Sequence, residues 1–181
     1  MMIQPVALMA TCCLVGIGYV EAAEEQTECP TGPFDGWKTI VGTGSGYFYI
    51  KKSTSFYENI CTFSQPPENT TTPRKKSPFK SGYKDTAGDW QNPQGIAVGI
   101  DDRIIYIFDS GKKKYKVLFS DYKNCYVTYK PKELEQWIHS NADQNALSCC
   151  NKLFSKELKE RQLQGTTLRK MDKDCAPYNV Q

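Results

Sequence analysis

The stretch IAVGIDDRIIYIFDSGKKKYKVLFS, residues 96–120, decides the fold. It divides into three short runs rich in β-branched and aromatic residues, Ile96 to Ile100, Arg103 to Asp109 and Lys114 to Ser120. Asp101-Asp102 and Ser110-Gly111 separate them, which are hairpin signals. Strands recurring at about 8 to 12 residues favour an antiparallel barrel or sandwich. Outward from this core, Lys123 to Lys130 and Glu133 to Ile138 form a further hairpin around Pro131, and Tyr47 to Ser53 reads as a strand. Asp35 to Val41 is a brief helical or irregular opening, broken by the glycines from Gly42 to Gly46, and the Pro-, Thr- and Lys-rich segment from Pro66 to Pro78 is a long loop. No repeat and no strand-helix alternation occurs, which disfavours a doubly wound α/β fold.

After Ser148 the period changes. Cys150, Leu153, Phe154, Glu157, Leu158 and Arg161 fall at i, i+3 and i+4, an amphipathic helix ending before Gly165 with Leu153, Phe154 and Leu158 on its apolar face. Cys149 and Cys150 stand together at its start. Neighbouring cysteines do not easily bridge each other, because a disulfide wants its Cα atoms about 4.4 to 6.8 Å apart with a specific torsion. Each must reach a different partner, so the pair staples the helix to two places. Zinc clusters use C-x-x-C spacings, which are absent.

Residues Pro5 to Val20 are nearly all apolar or small, and small residues at Val20 and Ala22 suit a signal peptidase, so a leader over residues 1–22 and a single domain over residues 23–181 are expected. Removing the leader takes away Cys12 and Cys13 and leaves six cysteines, enough for three disulfides in a secreted chain. Asn69-Thr70-Thr71 is an N-glycosylation sequon in the polar loop. The formal charge of +3 is mild, and the runs Arg74-Lys75-Lys76 and Lys112-Lys113-Lys114 read as a solvated loop and hairpin tip. An extracellular, monomeric protein with no nucleic-acid partner, and no membrane partner once the leader is gone, is expected. Catalysis is disfavoured. His139, the single histidine, reads as a surface or loop residue, no triad or metal constellation can be assembled around it, and the mature cysteines are committed to bridges. No cofactor and no metal is expected.

Asp35-Gly36-Trp37-Lys38, the Tyr-rich strand from Tyr47, Cys125-Tyr126-Val127, Glu135-Gln136-Trp137, Cys149-Cys150 and Cys175 resemble, in order and spacing, the histamine-binding lipocalins of tick saliva. The resemblance spans Cys29 to Cys175. It implies an all-β fold with a flanking helix: an eight-stranded antiparallel lipocalin barrel, a C-terminal α-helix packed outside and three disulfides. It also implies the pairing Cys29 to Cys149, Cys61 to Cys175 and Cys125 to Cys150. The family's amine signature runs Cys-Asp-aliphatic, then Glu-Leu-aromatic, then Cys. This chain departs from it at Tyr126, where Asp is expected, and at Gln136, where Leu is expected.

With Cys125 turned outward to the helix, alternation sends Val127 and Tyr129 outward and Tyr126 and Thr128 into the lumen. The resemblance places Glu135 and Trp137 toward the ligand, where a buried carboxylate would pair with a cationic amine and an aromatic wall of Trp137, Tyr47, Tyr49 or Trp37 would add cation–π attraction. Without the resemblance, Glu135 reads as a solvated strand residue or the partner of a barrel cation such as Arg103. Tyr126 removes a negative charge from the lumen. Asp35 and Asp89-Trp90 are replacement carboxylate sites for an amine. The implied function is stoichiometric sequestration of a small host mediator, a biogenic amine first, to suppress host defence. An eicosanoid or fatty acid held by tyrosines and by Lys51, Lys130 or Arg103 is the second reading, and a host protein bound through the basic loop the third.

Overall fold

The computed structural model describes residues 28–55, 60–163 and 175. The expected leader, residues 1–22, lies outside them. A short helix α1 (Gly36–Val41) precedes nine strands: β1 (Phe48–Ser53), β2 (Ile60–Ser64), β3 (Lys76–Lys84), β4 (Trp90–Gln91), β5 (Gln94–Ile100), β6 (Arg103–Phe108), β7 (Gly111–Ser120), β8 (Cys125–Lys130) and β9 (Glu133–His139). A 3-10 turn (Gln144–Leu147) leads into helix α2 (Ser148–Glu160).

The sheet runs β2-β1-β9-β8-β7-β6-β5-β3, and β2 also pairs with β3, closing eight antiparallel strands into a barrel. The two-residue β4 is an addition outside the ring, hydrogen-bonded to β3. Closure leaves the ring without an open edge. The expected eight-stranded barrel with an outer helix is therefore present.

Three strands escape the sequence reading, the short β4 and two strands of the ring. β2 and β3 carry Cys, Pro, Gly and Lys, and the expected loop to Pro78 in fact gives way to β3 at Lys76. Pro78 is tolerated because its carbonyl accepts from Glu68 N–H at 2.9 Å, on the side facing the 65–68 segment. Its missing N–H falls on that same side and costs the ladder to β5 nothing. The run Lys112–Lys114 likewise lies within β7 rather than at a hairpin tip, because the turn falls earlier, at Asp109-Ser110.

All three disulfides form in the expected pairing, Cys29–Cys149, Cys61–Cys175 and Cys125–Cys150. α2 lies against β8 and β9 with Cys150 and Phe154 buried. Gln136 points outward beneath it, its amide donating to Asn151 Oδ1 at 3.0 Å. Lys52 reaches the same oxygen at 3.0 Å and lies over the Phe154 ring at 5.5 Å. Arg161, just past the helix end, stacks on Tyr129 at 3.9 Å.

α1 seals one end of the barrel. Asp35 caps it by accepting from the N–H groups of Trp37 and Lys38, the Gly36 N–H donates to Asp101 O at 2.7 Å in the β5–β6 turn, and Trp37 packs directly on Gly99, where any Cβ would collide with it. His139 is buried rather than on the surface. Its Nε2 donates to Ser45 O at 2.8 Å, and its Nδ1 accepts from Asn141 N–H at 3.2 Å, fixing the turn before β1. No helix among the described residues is long and apolar enough to cross a membrane.

Candidate functional site

Register settles which face of each strand points inward. Cys125 bonds to α2, so its face is the exterior, and Tyr126 and Thr128 point into the lumen, opposite Trp137 and Glu135 on β9. On β1, Phe48 and Ile50 lie on the lumen side, and a bulge at Lys51 turns Lys52 out toward α2.

Within the barrel, away from the end closed by α1, is a cavity of about 110 Å³. Glu135 and Trp137 line it from β9, Tyr106 and Tyr115 from β6 and β7, Phe79 from β3, and Lys113 at an exposed edge. Glu135 is 2% exposed, and its carboxylate accepts a 3.0 Å hydrogen bond from the Trp137 indole N–H. Burial pushes the Glu135 carboxyl up to about 7, against the Trp137 hydrogen bond and the positive fields of Lys130 and Lys113, and with Glu133 adding to the rise. Across the strand pair, Thr128 Oγ1 is buried without a hydrogen-bond partner among the described residues. This is an acidic group that changes charge near neutral pH in a mostly aromatic cup. It can switch from neutral to anionic when a cation arrives to share the desolvated space.

Deeper in the lumen the gaps between side chains are too narrow to admit a water molecule. Tyr126 stacks on Trp137 at 5.8 Å with 14° between planes, meets Phe48 edge-on at 4.9 Å, and is hydrogen-bonded to Tyr106. Burial raises the ionisation of both hydroxyls well out of the physiological range. The space beside Tyr126, bounded by Ile104, Tyr115, Thr128 and Glu135, is closely packed and holds no room for a ligand.

The other sequence candidates are dispersed. Asp35 and Trp37 sit at the sealed end. Partial burial opposes ionisation of Asp35, but Lys75 at 2.8 Å and the capping N–H groups hold its carboxyl below the usual range. The Trp37 indole donates to Thr70 O at 3.1 Å. Tyr47 and Tyr49 alternate with the inward residues of β1, and Tyr49, opposite Ile138, packs on the side of α2. Asp89 is exposed in the turn before β4, and Trp90 packs on Phe63 at 5.7 Å. None of these lines the cavity. Of the proposed basic groups, Arg103 is exposed beside Asp102, Lys51 occupies the bulge, and Lys130 pairs with Glu133 at 2.9 Å and lies over Tyr115 at 5.4 Å. Asn69 is exposed, its Oδ1 accepting from Thr71 Oγ1 at 3.2 Å. Tyr106, Tyr115, Phe79 and Ile50 were not anticipated; the alternation of Lys114 and Lys116 with Tyr115 and Val117 along β7 is the signal that carries Tyr115.

No family model matches the chain. Among solved structures it is similar to AM182, determined in complex with serotonin, with 25% identity, coverage of 83% of this chain and 98% of that one, and a TM-score of 0.69. It is also similar to apocrustacyanin C1, at 13% identity, 82% and 92% coverage and a TM-score of 0.55, and to lobster apocrustacyanin A1, at 12% identity, 82% and 92% coverage and a TM-score of 0.54. The fold is that of a lipocalin.

Proposed function

We propose that this lipocalin binds a small organic cation, a biogenic amine of the size of serotonin or histamine, and sequesters it stoichiometrically in a secretory setting. The carrying observation is Glu135, a carboxyl buried in an aromatic cavity and poised to ionise near neutral pH. Its desolvation would be offset by an ammonium, and the faces of Trp137, Tyr106 and Tyr115 would add cation–π attraction of about 0.5 to 2 kcal/mol. The likeness to AM182, solved with serotonin, supports the same class of ligand.

Size and charge favour an amine over an eicosanoid. An engineered cavity of about 150 Å³ takes a single benzene, so about 110 Å³ suits one small ring with its chain toward the edge. A fatty-acid carboxylate placed there would meet Glu135 and be repelled. Stoichiometric capture needs a preformed concave site and no turnover.

Calorimetry with serotonin, histamine and a leukotriene on wild type and Glu135→Gln tests the reading. Submicromolar amine binding, about −8 kcal/mol or better, is expected for the wild type, with a loss of about 3 kcal/mol in the variant, as for removal of one partner of a buried charge pair. Leukotriene binding without amine binding, or an unchanged Glu135→Gln, would overturn it.

A further inference from the structure

The basic runs Arg74–Lys76 and Lys112–Lys114 lie far apart in the chain but border one exterior face of the barrel. Register sets Lys76, Val98, Ile105 and Lys114 side by side across β3, β5, β6 and β7, and Pro78, Ile96, Ile107 and Lys112 in the adjacent row. The alternate row, Ser77, Ala97 and Tyr106, is buried and points inward, so these two rows point out. A third row adds Ile100, 50% exposed, beside Arg103 and Lys116. The centre of the face is thus a stripe of isoleucine and valine, and lysines stand on both sides of it.

Cations outnumber carboxylates on the face, and the carboxylates stand at its borders. Lys76, Lys80, Lys112 and Lys114 are exposed and make no ion pair among the described residues. Four carboxylates border the face: Asp102 in the β5–β6 turn takes Arg103 at 3.8 Å and Lys116 at 3.5 Å, Asp101 in that turn and Asp109 in the β6–β7 turn are exposed at the strand ends, and Glu68 lies beside Pro78 at one edge. Strands spaced about 4.8 Å apart put the two lysine borders about 14 Å from each other.

We propose that this face docks the barrel on an anionic lipid bilayer. Ile96, Val98, Ile105 and Ile107 are half-buried and Ile100 is exposed, between the longer lysines of β3 and β7. A planar surface can meet both at once, the isoleucines entering the acyl boundary while the lysines reach the phosphates at their flanks. A sulfated polysaccharide or other hydrated polyanion would use the lysines alone and leave the apolar stripe against water. The sequence alone suggested no membrane partner, because no segment after the expected leader is long and apolar enough to span a bilayer, and a surface stripe assembled across strands gives no such segment. The surface is separate from the cavity.

Vesicle flotation of the oxidised protein tests the proposal, with phosphatidylcholine alone and with phosphatidylcholine containing phosphatidylserine. Flotation with the anionic vesicles only, released by salt, is expected. Lys112→Gln with Lys114→Gln should lower partitioning roughly thirtyfold, since each lysine near an anionic surface contributes about 1 kcal/mol. Ile105→Thr should lower it several-fold with an unchanged melting curve, and Val98→Thr serves as the second variant if Ile105→Thr unfolds. No flotation with anionic vesicles would overturn the proposal. So would flotation that heparin competes away and that both threonine variants leave intact, which would mark the face as a polyanion site instead.

Discussion

Glu135→Gln should make the unliganded protein more stable at neutral pH while destroying amine binding. In the folded chain the carboxyl is raised from its ordinary 4.5 to about 7. Between these values the unfolded chain releases a proton that the folded chain retains. Stability therefore falls as pH rises through this window and levels off above it. At 1.36 kcal/mol per pH unit the fall amounts to about 3 kcal/mol, an order-of-magnitude figure for one buried group. Gln keeps the shape and can accept from the Trp137 indole, but it has nothing to titrate. Denaturant melts of both proteins from about pH 4 to about pH 8, disulfides intact, should show the variant's advantage growing from near zero to about 3 kcal/mol, other titrating groups cancelling in the difference. Serotonin at about 100 times its dissociation constant should then restore about 2.7 kcal/mol to the wild type alone. An advantage independent of pH would show that Glu135 is not desolvated. A wild type that gains on the variant as pH rises would show that Lys130 and Lys113 already neutralise it, and either result refutes the cation-capture argument.

Amine affinity should rise with pH through about 7 and then level off, because the ammonium binds the ionised carboxyl; calorimetry in buffers of different ionisation heat would detect the proton released. Tyr126→Ala should cost about 3 to 5 kcal/mol by opening the closely packed inner lumen, and a larger cavity in the variant's crystal structure checks it. Replacing Cys125 and Cys150 by serine should cost about 3 kcal/mol for a loop of this length and loosen α2, which Cys29–Cys149 still anchors, read as faster amide exchange in residues 148–160.

Much of the fold was legible because turn chemistry and β-branched runs coincide from Ile96 onward. Asp101-Asp102 does mark a turn, the next turn falls one residue before Ser110-Gly111, at Asp109-Ser110, and Cys149-Cys150 does staple a helix to two places. What escaped was structure held by the barrel rather than by local preference. β3 contains Pro78 and Gly82 and keeps its extended form because β5 lies on one side and β2 and the 65–68 segment on the other. Its propensity is poor, and closure of the ring overrides it.

The site was legible only where polarity alternates. Along β9 a Glu and a Trp two residues apart had to share a face, and burial of that face made the pair chemically significant. Along β6, Ile104, Tyr106 and Phe108 alternate with Ile105 and Ile107, so both faces are apolar and periodicity cannot tell wall from lumen. Tyr106 therefore went unseen as a cavity residue, and Ile105 and Ile107 unseen as exterior ones. The aromatic signal misleads for the same reason: Tyr47 and Tyr49 carry the rings, but Phe48 and Ile50 hold the inward positions of β1. What distinguishes Glu135 from Asp35 is likewise not residue type but environment. Asp35 has a lysine and two backbone donors holding it ionised at the sealed end, whereas Glu135 has one indole donor inside an aromatic cup, so Glu135 is the carboxylate that a cationic ligand would complete.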